Sequence, residues 1–286
     1  YNSTSFGELY FIFFNKPSEL CVLQAKFNLI ENMIAVVSPA KTLDFESKYD
    51  FEHTLPKFQK EALALIEVLK EQSENEVREL MSISDQLAHI NVERYHKFTK
   101  KKNAAHARHA IFAFQGDVYQ GLEAENFSPE ELEFSQSHFR ILSGLYGLIR
   151  PLDLIQPYRL EMGTKLRVNG SKNLYEFWGD KIANQLNRDL KNQGDDLLIN
   201  LASVEYFKSV NLTKLKAKVI DVDFKDFSNG DYNVVSFFAK KARGMMSRYI
   251  IKNQPTTVEE LRAFDYSGYR FDESNSTNEL LAFKRG

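Results

Sequence analysis

A chain of 286 residues, 43% of them apolar, is long enough for one large domain and rich enough in apolar side chains to pack a core. A net charge of −2 excludes a uniformly basic coat for nucleic acid, so any surface for an anionic partner must come from local clustering. The single cysteine, Cys21, excludes an internal disulfide and a cysteine-built zinc or iron–sulfur site and fits a reducing compartment, and no apolar run approaches the roughly 18–20 residues of a spanning helix.

In chain order, Leu9–Phe14 is apolar but short, with no Lys or Arg before it and no small-residue cleavage site close behind, so it does not read as a signal peptide. Met33 opens a clean strand. Residues 1–32 are therefore read as an N-terminal extension upstream of the core, and 33–286 as one domain. Short β-branched or aromatic runs predict strands at Ile34–Val37, Ile111–Phe114, Leu197–Leu201, Lys218–Asp223 and Tyr232–Phe237. Helices are predicted over Lys57–Glu71, Asp85–Phe98, Leu174–Leu190 and Phe238–Lys252. Start signals accompany them: Ser73 with Glu76, Ser128 with Pro129 and two acids, and Thr257 with Glu260. No Pro/Gly/Ser linker or internal repeat divides the chain. This alternation predicts an α/β fold, with mixed α+β as the variant, in which helices surround a mixed sheet in one compact domain.

Charge is segregated. Residues 121–135 carry five Glu and no Lys or Arg, whereas 236–252 carry Lys240, Lys241, Arg243, Arg248 and Lys252 and no acid. On a helix, Lys241, Arg248 and Lys252 share a face with Gly244, which would admit another backbone or a phosphate; the ordinary reading is a solvated face. Lys100–Lys102 reads as an exposed loop. Ser38–Pro39–Ala40–Lys41 directly follows a strand, and open α/β sheets bind ligands at the carboxyl ends of strands. Asn200–Lys208 repeats that pattern, with Glu205 and Lys208 as either a helix pair or site residues. Phe114–Gly121 is a tight turn or a ligand loop and not a P-loop.

Ile141–Leu166 holds three glycines and two prolines, which exclude one long helix. Within it Arg150, Arg159 and Lys165 suit an anion, and Arg159 and Glu161 would point the same way in extended chain; internal salt bridges are the alternative. His89, Glu93 and His96 fall on one helical face, and His106 and His109 on another helix, but neither has the compact spacing of a zinc helix, so no metal site is assigned. No Gly-x-Ser-x-Gly elbow occurs.

Five stretches, in family order, resemble the YaaA family, the bacterial peroxide stress resistance proteins. They are IAVVSPAKTLDF at Ile34–Phe45, FQGDVYQGL at Phe114–Leu122, RILSGLYGLIRPLDLIQPYRLEMGTKL at Arg140–Leu166, NLASVEYFKSV at Asn200–Val210 and SFFAKKARGMMSRYII at Ser236–Ile251. The resemblance implies a cytoplasmic protein that limits damage from unincorporated intracellular iron. It also implies binding of double-stranded DNA in a basic cleft and a helix-hairpin-helix element, for which Gly144–Gly147 is the candidate hairpin.

On this reading the phosphate-contacting residues are Lys41, Arg150, Arg159, Lys165, Lys208, Lys240, Lys241, Arg243 and Arg248. The contacts would be weakly sequence-specific, with no cofactor, no metal and no membrane partner. The alternative is an enzyme acting on a nucleotide, nucleobase or similar small anion in the same cleft, with Ser38, Lys41, Glu161 and Glu205 as catalytic candidates. An iron-binding protein is a third reading, without a ligand cluster to carry it.

Overall fold

The computed structural model describes residues 33–47, 51–100 and 106–286. The expected extension 1–32, Cys21, and Lys101 and Lys102 of the lysine run lie outside these residues.

MIAVV is apolar on both faces, as a strand covered on both sides must be. It forms β1 (Met33–Val37), in which every residue is buried. β2 (Thr42–Leu43) leads to α1 (Gln59–Lys70), α2 (Glu74–Met81) and α3 (Asp85–Lys97). Next come β3 (Arg108–His109), α4 (Ala110–Ala113), β4 (Phe114–Gln115), α5 (Asp117–Leu122), α6 (Pro129–His138), β5 (Phe139–Ser143), β6 (Gly147–Ile149) and β7 (Leu154–Ile155). The remainder is α7 (Leu174–Trp178), α8 (Lys181–Gln193), β8 (Leu197–Leu201), α9 (Val204–Phe207), β9 (Lys218–Ser228), β10 (Asp231–Asn233), α10 (Ser236–Asn253), α11 (Val258–Leu261), β11 (Arg270–Phe271) and β12 (Leu280–Arg285).

The main sheet runs β11-β12-β9-β8-β1-β5-β6, with β10 beside β9. Its five inner strands, β12, β9, β8, β1 and β5, are parallel; β6, β10 and β11 are antiparallel additions. The expected mixed-sheet α/β fold is what forms. Helices in the connections between strands cover the sheet: α10 lies across β1, β8 and β9, and α6 packs on β1 and β5. No helix among the described residues is long and apolar enough to cross a membrane.

The capping signals act as read. Ser73 and Ser128 both close full capping boxes, with Glu76 and Glu131. Thr257 caps through the Glu260 N–H, but the Glu260 carboxylate turns to the N–H of Thr256.

Several expectations are corrected. Ile111–Phe114 is a helical turn (Ala110–Ala113) followed by a two-residue strand, because a short run buried on all sides carries no periodicity to separate the two. The strand predicted over Tyr232–Phe237 ends at Asn233, and Ser236 already begins α10. The helix predicted over Leu174–Leu190 breaks into α7 and α8 at Gly179, whose φ is +46°. His106 and His109 lie in a turn and in β3 and not on a helix.

Gly144–Gly147 also differs from expectation. These residues close a β-hairpin between antiparallel β5 and β6, so no helix-hairpin-helix occurs at these glycines. The buried Trp178 explains them. Its indole N–H donates to the Gly144 carbonyl at 3.0 Å, and a Cβ on Gly147, where φ is +69°, would come within 2.6 Å of the ring.

Candidate functional site: a cleft at the carboxyl ends of β1 and β8

In the parallel register Val37 lies opposite Leu201, so β1 and β8 release the chain at the same edge of the sheet. From β1 the chain moves to β5 on one side; from β8 it moves to β9 on the other. Such a reversal opens a crevice beyond the strand ends, where open α/β sheets take their ligands.

The crevice is held by short polar contacts. Ser38 Oγ accepts the Ser203 N–H at 2.9 Å and donates to Ser203 Oγ at 3.2 Å. The Tyr119 hydroxyl donates to the Ser38 carbonyl at 3.2 Å. β2 pairs with β4 and ties the strap after Ser38 to the start of α5. The resulting cleft encloses about 610 Å³ between 38–42, 115–119, 201–206 and α10.

Its charge is mixed, with Lys41, Lys240 and Arg243 facing Asp117 and Glu205. Glu161 is shared: one carboxylate oxygen meets Lys41 Nζ at 2.7 Å and the other accepts from Arg159 at 2.9 Å. Glu205 accepts the Gly163 N–H at 2.9 Å, which ties α9 to the loop carrying Glu161. Behind them Tyr119, Tyr158 and Tyr206 are buried, and loss of solvation drives each phenol well above its usual pKa, so they stay neutral. The Tyr158 hydroxyl reaches Ser143 Oγ at 2.7 Å.

Arg243 is the wall between this cleft and a neighbouring depression of about 730 Å³, which Lys208, Asp221, Asp223 and Glu279 also line. Burial pulls the Arg243 pKa down, and Asp223 and Asp221 draw it back up. Its Nε is buried without a hydrogen-bond partner.

Of the residues expected at the site, Ser38, Lys41, Glu205, Lys240 and Arg243 line the cleft, and Arg159 and Glu161 join through the Lys41 ion pair. Lys208 lies in the adjoining depression, its ammonium 5.2 Å from the Tyr175 ring and without an ion pair to Glu205. Lys165 is exposed two residues beyond Gly163.

Three further expected residues lie away from both the cleft and the adjoining depression. Arg150 is held by Asp153 at 3.1 Å, in a separate depression with Arg140 and Asp189. Arg248 pairs with Glu123 and lies 5.1 Å from the Tyr266 ring. Lys241 sits where α10 presses its own carbonyl against Gly121. Gly244 does admit another backbone, that of α5, since an added Cβ would lie 1.8 Å from the Val118 carbonyl oxygen.

Ser203 and Tyr206 were given no role from sequence. The available signal was the matching position of Ser38 and Ser203, each just past the end of a buried strand. The histidine pattern on α3 is occupied by ion pairs: His89 meets Glu74 at 2.8 Å and Lys97 meets Glu93 at 3.0 Å. Among the described residues no three His, Cys, Asp or Glu side chains are grouped to hold a metal ion.

Comparison with known families gives this site its context. A family model described as peroxide stress protein YaaA matches residues 33–275, which takes in β1, the strap after it, the hairpin, β8 and α10. The chain belongs to the YaaA family of peroxide stress proteins.

Proposed function

We propose that the protein contributes to peroxide stress resistance by holding the backbone of double-stranded DNA across the lip of this cleft, in the cytoplasm, and so limits the damage done by intracellular iron. The observation that carries the reading is a set of uncommitted cations. Lys240 on the cleft wall, Lys208 in the adjoining depression and exposed Lys165 have no carboxylate partner among the described residues. Lysine point charges suit phosphate oxygens and carry no base preference. Each phosphate they neutralise releases condensed counterions. Ferrous ions held in that atmosphere would leave with them, removing iron from where peroxide turns it against the backbone.

Fluorescence anisotropy with short duplexes of unrelated sequence tests the reading. Duplex affinity should fall steeply between about 50 and 200 mM salt, and Lys208→Gln with Lys240→Gln should weaken all sequences alike and flatten the log–log salt slope by about 2. An affinity insensitive to both salt and the double substitution overturns it.

A second reading, an enzyme acting on a nucleotide, nucleobase or similar small anion, is favoured by one feature: Ser38, Lys41 and Glu205 line a volume of small-molecule size, with Glu161 paired to Lys41. A carboxylate beside Lys or Arg serves as a base or as an orienting group. Under this reading Glu161→Gln abolishes peroxide protection while duplex binding persists, and a small molecule bound at these residues would decide for it.

A further inference from the structure

A second group of basic side chains lies in a hollow that shares no residue with the cleft. Arg94 and Lys97 reach it from α3, and His106 and Arg108 from the approach to β3. Phe45, Phe98 and Pro157 supply apolar walls around about 240 Å³, and among the described residues no carboxylate lines the space.

The cations there are poorly neutralised. Lys97 pairs with Glu93 at 3.0 Å on the helix surface. Among the described residues the guanidinium of Arg94 forms no ion pair and donates to the Asn91 amide oxygen at 3.4 Å. Arg108 donates to the Phe45 carbonyl, lies 6.0 Å from the Phe45 ring, and keeps a buried Nε without a partner. Asp44 feels the charge of Arg108, but its carboxylate is turned onto the N–H groups of Glu46 and Ser47. Burial, and the like charge of Arg159, lower the pKa of Arg94. Like charges crowded into a part-buried hollow raise the free energy of the empty state, and an anion placed among them relieves it.

We propose that this hollow is a second anion site, built for the phosphate of a phosphorylated ligand. Two guanidinium forks and an ammonium match a tetrahedral phosphate oxyanion, and the Phe45 and Pro157 surfaces accept the apolar part of what carries it. The phosphate belongs either to a small ester or to a nucleic-acid backbone.

Calorimetric titration of the full chain with inorganic phosphate at low ionic strength tests the site. Saturable binding in about the millimolar range is expected, weakened about tenfold by Arg94→Gln, the loss of one charge-assisted contact. Lys214→Gln, an exposed substitution of equal charge, leaves it unchanged. Lys97→Gln repeats the test on a side chain that is 75% exposed, should Arg94→Gln fail to fold. A short duplex that displaces the phosphate assigns the site to a nucleic-acid backbone, and a duplex that does not assigns it to a small ester. Absence of saturable phosphate binding, or binding indifferent to both substitutions, overturns the proposal.

Discussion

Glu161 holds two cations at once, and its replacement separates the two readings of the cleft. Lys41 is 62% exposed, so its bond to Glu161 is screened and worth about 1 kcal/mol or less. Glu161→Gln removes a negative charge from the lip and frees Lys41 and Arg159 for phosphate. If the cleft holds DNA, duplex affinity at low salt should rise by about two- to fivefold, which anisotropy can measure. A fall in affinity would show that the carboxylate positions these cations instead of competing for them.

A second prediction at the residue scale concerns pH. Burial lowers the pKa of His109 and of His138, and backbone carbonyls of Phe51 and Phe134 only partly offset this. Below the ordinary histidine value of 6.5 the unfolded chain takes up protons that the folded chain refuses. Stability present at neutral pH is therefore lost as the pH falls through that value towards the depressed folded values. His89, whose pKa the Glu74 hydrogen bond raises, acts in the opposite sense but is fully exposed and screened. The urea midpoint should drop between about pH 7.5 and 5.5, above most carboxylate titration, and His138→Phe should flatten the drop. A midpoint that holds or rises would contradict this assignment.

Among the elements, α10 and α5 make the tightest approach. Gly244 and Gly121 face each other's helix so closely that a Cβ would meet carbonyl oxygen at 1.8 and 2.1 Å. Gly244→Ala should cost about 3 kcal/mol or more by overpacking, against the gain of about 1 kcal/mol that an isolated helix would show. An unchanged denaturation midpoint would mean that the helices separate easily.

The same helix pair marks how far the sequence could be read. The segregation of acids at 121–135 and bases at 236–252 was visible, but not that the two segments neutralise each other through Arg248–Glu123 and Lys252–Glu131. Only the tertiary fold sets a partner 121 residues away. Helix ends with capping boxes were legible because that chemistry is local. β5, buried on both faces and running into the glycine- and proline-rich stretch from Ile141, was not, because glycine and proline around Gly144 and Pro151 outweighed its five buried residues.

For the molecule as a whole, alternation of strands and helices announced an α/β sheet, and two strand exits with serine pointed to its carboxyl edge. The position of the crevice could not be read, since it depends on β5 and β8 flanking β1 from opposite sides. That order brings Ser38, Lys41, Glu205, Lys240 and Arg243 together and leaves Arg150 and Arg248 elsewhere. Fewer cations reach the cleft than the sequence suggested, and carboxylates stand among them, so duplex binding should be modest in strength and steep in salt.

The claim that joins this geometry to peroxide stress is that occupied backbone phosphates are protected phosphates. Strand breakage of a linear duplex by ferrous iron and peroxide, titrated with the protein at low salt, tests it most directly. Protection should rise in step with duplex occupancy and should be lost with Lys208→Gln and Lys240→Gln at equal protein concentration. Protection that persists undiminished in the double variant, or duplex fully occupied yet cut at the rate of free DNA, would contradict it.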